Sequence, residues 1–162
     1  MRIPFKGKYR TLNTVKISAQ SLRLNLALYR ELAPEKMVCP VLKANAYGHG
    51  LTEVAKALDP EKPEFFVVDS LHEAYQLKKA GIKSKILILG YTFPENLLRK
   101  KLPFHFAVSD LGTAKALSKY KAKVHLKIDT GMNRMGFSVE NLPQVLEKFK
   151  ELKVEVVGVL SH

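Results

Sequence analysis

The sequence predicts an α/β domain built on a parallel sheet, and three observations carry that reading. Short apolar runs alternate with helical patterns along most of the 162 residues. Several runs are apolar at consecutive positions, as in Phe65-Phe66-Val67-Val68 and Ile86-Leu87-Ile88-Leu89, the mark of strands covered on both faces. The composition, 46% hydrophobic and 26% charged, is that of a globular domain.

The strand candidates, in order, are Met37–Leu42, Phe65–Asp69, Lys85–Leu89, Phe104–Val108, Val124–Thr130 and Val154–Leu160. The segments between them read as helices. Leu22, Leu26, Tyr29 and Ala33 form a stripe after Ser18, a residue suited to capping. Ser70-x-x-Glu73 is a capping box, and Gly81 stands where a left-handed residue should end that helix. Leu142, Val145, Leu146, Phe149 and Leu152 make a further stripe, with Asn141 and Gln144 as candidate caps and Pro143 tolerated in the first turn.

Two architectures fit this alternation. A doubly wound sheet is complete at such a length, whereas a (β/α)8 barrel needs roughly 250 residues and eight strands. Pattern alone favours the doubly wound sheet. Against it, no Gly-x-Gly-x-x-Gly follows the first strand candidate and no Gly-x-x-x-x-Gly-Lys-Ser/Thr occurs. The last apolar run stops at Ser161-His162 without a cap or a following helix, so the expectation is a truncated chain.

The formal net charge is +12, but most of it is lysine dispersed through helix-like segments, from Lys78 and Lys79 to Lys121 and Lys123. No basic cluster carries the interleaved aromatics of a base-stacking surface. The charge therefore points to a solvated surface or an anionic small ligand rather than nucleic acid. No run of 18 apolar residues occurs, and Met1 to Arg10 lack the apolar core of a secretory signal. The one cysteine, Cys39, cannot form an internal disulfide, and no Cys/His set has zinc spacing. No metal site is expected, and a cytoplasmic location is.

Two stretches carry candidate chemistry. Strand alternation puts Met37, Cys39, Val41 and Lys43 on one face, with Lys43 at the C-terminal end, the edge where α/β proteins bind ligands. Desolvation at such an edge favours a neutral amine, the form that attacks a carbonyl or takes a proton. The competing reading is a lysine that snorkels to solvent. Gly48 and Gly50 permit a tight loop there. In the second stretch, Val124, Leu126 and Ile128 alternate with His125, Lys127 and Asp129. A wholly polar face in a covered sheet is costly unless it lines a site, the alternative being an exposed edge strand. Arg134 follows in a loop between Gly131 and Gly136, where its guanidinium could hold an oxyanion.

The string Lys43-Ala44-Asn45-Ala46-Tyr47-Gly48-His49-Gly50 resembles the pyridoxal-phosphate lysine motif of alanine racemases. His125 through Phe137, centred on Asp129-Thr130-Gly131-Met132-Asn133-Arg134, resembles that family's second signature, and Gly158-Val159-Leu160-Ser161-His162 the start of its third. The resemblance runs from about Arg10 to His162. It implies the N-terminal part of a (β/α)8 TIM barrel, about six of the eight strands, with the family's β-rich C-terminal domain missing. Residues 1–162 are then one partial barrel domain, and this replaces the doubly wound reading.

The resemblance also implies roles. Lys43 would hold pyridoxal 5′-phosphate covalently and act as the base on the D-alanine side. Tyr47 would lie near the cofactor phosphate, Leu89 would pack near the ring, and His162 would join the network beneath it. Arg134 would bind the phenolic oxygen and lie close to the substrate carboxylate. Lys127 would support Arg134, as a lysine that family members can carry in carbamylated form. The family's second base, a tyrosine from the partner subunit's C-terminal domain, has no match here, nor do the arginine facing the pyridine nitrogen and the late phosphate loops. Pro40, inside the first strand candidate, removes a ladder donor.

The implied activity is interconversion of L- and D-alanine for the bacterial cell wall by a cytoplasmic homodimer. The alternatives are another amino-acid racemase of this fold and a non-catalytic protein that stores or delivers the cofactor. Six strands cannot close an eight-strand barrel. Residues 1–162 alone are therefore expected to bind cofactor weakly, to lack activity and to associate through open strand edges.

Overall fold

A computed structural model describes residues 12, 14–97 and 102–162. Residues 1–10, and with them the basic start of the chain, lie outside the described residues, as do Lys100 and Lys101. The elements run α1 (Ala19–Leu32), α2 (Lys43–Tyr47), α3 (Leu51–Leu58), β1 (Phe65–Val68), α4 (Leu71–Lys79), β2 (Lys85–Ile88), β3 (His105–Val108), α5 (Leu111–Ser118), β4 (Lys123–Asp129), β5 (Phe137–Ser138), α6 (Leu142–Glu151) and β6 (Glu155–Leu160).

All strand pairs are parallel. The order is β1-β2-β3-β4, with β6 along the other side of β4 and the two-residue β5 at its C-terminal end. Neighbours in sequence are neighbours in the sheet, with no reversal of strand order. A doubly wound sheet reverses and carries helices on both faces. Here the alternate residues Phe66, Val68, Ile86, Ile88, Phe106, Val108, Val124 and Leu126 all enter one core with Val54, Leu77, Leu117 and Phe149 of the helices. Sequential order with one helix-covered face is barrel winding.

Five of the expected strands form. The first does not: Met37–Leu42 makes only an isolated bridge, Val41 to Val67, through Leu42 N–H to Val67 C=O and Val67 N–H to Pro40 C=O. Pro40 has no N–H to extend that ladder. The expected alternation fails with it, since Met37 and Val41 are exposed. The short strand β5 was not anticipated.

The helix ends follow their sequence signals. Ser18 accepts from Ser21 N–H, and Ser70 and Glu73 form the full capping box. After α4, Ile82 N–H bonds Leu77 C=O and Gly81 N–H bonds Lys78 C=O, with Gly81 at φ +82°, a Schellman closure. Two expectations fail. Asn141 gives α6 no side-chain cap, because a 3₁₀ turn, Val139–Asn141, leads straight into the helix. Tyr29 of the α1 stripe is exposed, and Leu26 is the residue that helix buries.

Candidate active site

The sheet face away from the helices carries the chemistry. At the C-terminal end of its strands lies a cavity of about 380 Å³, within the size range of small-molecule sites. Lys43 enters it from the segment before β1, Asp69 and Val67 from β1 and its exit, and Leu87, Leu89 and Gly90 from β2 and its exit. Lys127 comes from β4, Arg134 and Met135 from the following loop, and Leu160, Ser161 and His162 from the end of β6.

Lys43 opens an unusual turn. Ala44, Asn45 and Ala46 have φ/ψ of 53/50°, 57/42° and 51/47°, and Tyr47 has φ 53°. These are left-handed helical values, which cost a non-glycine residue about 1–2 kcal/mol each. The turn persists because its surroundings hold it. Leu42 and Ala46 are buried, and Ala46 N–H bonds Leu42 C=O at 2.8 Å. Gly50 N–H reaches Asn45 C=O at 2.9 Å, and the Asn45 side chain accepts from Leu51 N–H, which caps α3. At Ala44, N–H donates to Glu73 Oε1 at 2.8 Å. The motif's small residues and glycines thus build a left-handed launch for Lys43, concentrated strain of the kind found at functional sites.

Arg134 is held by a second device. Asp129 Oδ1 accepts from Gly131 N–H at 2.9 Å and Asn133 N–H at 3.0 Å, folding the loop back on the end of β4. These backbone donors hold the Asp129 carboxyl below the usual range. Gly136, at φ +146°, closes the loop where a Cβ would stand 2.4 Å from Asp129 N. Thr130 and Ser161 hydroxyls meet at 2.6 Å and tie the exit of β4 to that of β6.

Lys127 is 7% exposed, a buried lysine in a protein whose other lysines are mostly in water. Burial pushes its ammonium below the usual lysine range, and the neighbouring charges of Arg134 and Lys43 push the same way. Asp69 and Asp129 oppose them in part. Among the described residues no ion pair reaches Lys127. The polar face of β4 is therefore not an exposed edge: β3 and β6 flank the strand, and Lys127 of that face points into the cavity.

Of the residues singled out in the sequence, Lys43, Leu89, Lys127, Arg134 and His162 line one cavity. Tyr47 does not; it is 62% exposed, one step beyond the turn that aims Lys43. Asp69, Gly90 and Met135 also line it and were not foreseen. Asp69 ends the second strand candidate, so the rule that selected Lys43 applies to it equally. Gly90 had no signal in the sequence; a Cβ there would stand 2.2 Å from Asp69 C=O. Among the described residues no set of three or more His, Cys, Asp or Glu could hold a metal ion, and no helix is long and apolar enough to cross a membrane.

Comparison with known proteins gives the same frame. The family model described as "Alanine racemase, N-terminal domain" matches residues 17–162. An alanine racemase of Fusobacterium nucleatum is 40% identical over 151 residues, covering 91% of this chain and 43% of that protein. One from Clostridium perfringens is 42% identical over 149 residues, covering 85% of this chain and 38% of its own length. A solved alanine racemase of Clostridium difficile superposes with a TM-score of 0.79 at 36% identity, over 88% of this chain and 40% of that one. The chain thus spans about two fifths of these relatives. With the match extending over nearly all of its length and the barrel winding on the page, the chain belongs to the alanine racemase N-terminal domain family.

Proposed function

We propose that this chain supplies the cofactor-binding barrel portion of a pyridoxal-phosphate-dependent alanine racemase, which interconverts L- and D-alanine. The observation that carries the reading is the convergence of Lys43, Lys127 and Arg134, from three separate segments, on one cavity at the C-terminal ends of parallel strands. Three basic side chains there, with Asp69 the one carboxylate side chain among the described residues of the lining, fit a ligand that brings a phosphate, a phenolic oxygen and a carboxylate. When bound, the cofactor would acidify the α-hydrogen of the amino acid by drawing electron density into its ring.

The chain's own residues then divide the work. Lys43 is the residue that would hold the cofactor through its Nζ, and its amine would take or return the proton on one face of the substrate α-carbon. Arg134 would hydrogen-bond the phenolic oxygen and orient the substrate carboxylate, a planar donor that lysine does not replace. Leu89 would pack near the ring and His162 would join the polar support beneath it, while Tyr47, which lies outside the cavity lining here, would reach the phosphate from the end of the turn. Lys127 is buried beside two cations, and burial favours the neutral amine. Carbon dioxide adds to that amine, an N–C bond forms and a proton leaves, so a carbamate anion faces Arg134. The base for the opposite face comes from outside residues 1–162, as a tyrosine of the partner subunit in a homodimer. Cytoplasmic supply of D-alanine to the cell wall belongs to the same reading.

The test is to incubate the intact protein with L-alanine and pyridoxal phosphate and follow D-alanine. Cofactor-dependent racemisation of alanine supports the reading. Racemisation of another amino acid but not alanine, or tight cofactor binding without turnover, overturns it in favour of a related racemase or a cofactor carrier.

A further inference from the structure

Glu73 does more than a capping box requires. The box uses one oxygen: Glu73 Oε2 accepts from Ser70 N–H at 3.2 Å and from Asp69 N–H at 2.9 Å, while Ser70 Oγ accepts from Glu73 N–H. The second oxygen leaves the helix altogether. Oε1 accepts from Ala44 N–H at 2.8 Å, 29 residues away in sequence. Ala44 is the first left-handed residue of the turn and the one directly after Lys43. The backbone bonds of the turn run from Ala46, Gly48 and Gly50 N–H to Leu42, Ala44 and Asn45 C=O, so the Ala44 donor is satisfied by Glu73.

One carboxylate therefore clamps two neighbouring chain segments, 43–44 and 69–70, that bring Lys43 and Asp69 into the cavity wall. Glu73 itself stays out of that lining. Among the described residues its charge goes to three backbone donors rather than to an ion pair with a cation of the site, which leaves Lys43 and Arg134 for an anionic ligand. We propose that Glu73 is a positioning residue: its two oxygens fix the left-handed turn at Ala44 against the exit of β1, and this aims the Lys43 amine into the cavity. The proposal rests on the reading of Lys43 as the cofactor-binding lysine.

Substitution distinguishes this from plain helix capping. Glu73→Gln keeps the shape but offers one acceptor oxygen, and its NH₂ faces an N–H on the other segment, so one side of the clamp opens. Ser70→Ala weakens the cap of α4 and leaves the bond to Ala44 intact. Both variants and the wild type, as intact protein, are compared in two measurements: amide hydrogen exchange at Ala44, and the rate and pH profile with which pyridoxal phosphate and borohydride modify Lys43, read by peptide mass against surface lysines. Glu73→Gln is expected to speed exchange at Ala44 and slow modification of Lys43, each by roughly ten-fold, the scale of a lost charge-assisted bond. Ser70→Ala is expected to change Lys43 modification by less than about two-fold, since it leaves that bond in place. If Glu73→Gln modifies Lys43 as fast as wild type, or slows it no more than Ser70→Ala, the proposal is overturned. If the wild type is never modified at Lys43, the cofactor reading falls and the proposal with it.

Discussion

The two ends of the same sheet face solve opposite problems. At the N-terminal end, Phe65 meets His105 and His125 edge-on, with ring centroids 4.8 and 5.7 Å apart. His105 Nδ1 and His125 Nε2 are 2.9 Å apart, so the pair shares one hydrogen between neutral rings. Burial, followed by the charge of His125, lowers His105 to about 4, and burial lowers His125 in the same direction. Gly158 of β6 admits the His125 ring where a Cβ would stand 2.5 Å from Nδ1. At the C-terminal end, two residues further along β4, Lys127 is held beside Lys43 and Arg134, offset in part by Asp69 and Asp129 and, among the described residues, in no ion pair. One end packs two histidines in neutral form against Phe65; the other concentrates charge around a cavity. The first arrangement supports the fold, and the second carries the electrostatic cost typical of a functional site.

That contrast can be broken at either end. The largest expected effect is at Lys43: Lys43→Ala should abolish racemisation by the intact protein, because the anchor and one base disappear together, while its thermal midpoint stays within a few degrees. Next, Arg134→Lys should keep bound cofactor, visible by absorbance, and lose on the order of 10²-fold in kcat, since an ammonium cannot reproduce the planar fork. Unchanged turnover would reduce Arg134 to a loop residue.

The opposite end should respond in stability and not in chemistry. Gly158→Ala drives a methyl into His125 and should cost about 1–3 kcal/mol, measured by denaturant unfolding, with turnover per folded molecule preserved. The smallest expected effect is a pH dependence. His105 is neutral in the folded state down to about 4, whereas unfolded histidine takes its proton near 6.5. Its contribution is thus complete above pH 6.5 and is lost as pH falls from there toward 4. His105→Gln should flatten the unfolding midpoint across that window. An equally steep profile in the variant would place the acid sensitivity elsewhere.

How much of this was legible depended on whether a feature was local. The capping box at Ser70, the Schellman glycine at Gly81 and the double-sided run of β1 are written in adjacent residues and are present, whereas in β2 only Ile86 and Ile88 are buried and Leu87 and Leu89 stand half-buried in the cavity wall. The polar alternation His125, Lys127, Asp129 signalled a lined site, although its alternative, an open edge, needed the neighbouring strands to dismiss it. Met37–Leu42 misled because apolar content outweighed the missing donor of Pro40. The choice between a barrel and a doubly wound sheet did not rest on periodicity; the motif resemblance made it, and the strand order agrees. Least legible were the tertiary devices: the left-handed turn after Lys43, the close pass of Gly90 by Asp69, and the reach of Glu73 to Ala44, which join residues far apart in sequence.

Whether the charged end of the sheet face is built around Lys43 is tested most directly by reducing the intact protein with borohydride in the presence of pyridoxal phosphate and mapping the modified peptides. One stoichiometric modification is expected, on the peptide that carries Lys43, and its loss in Lys43→Ala. Modification at Lys127, or spread evenly over surface lysines with Lys43 untouched, would contradict that expectation.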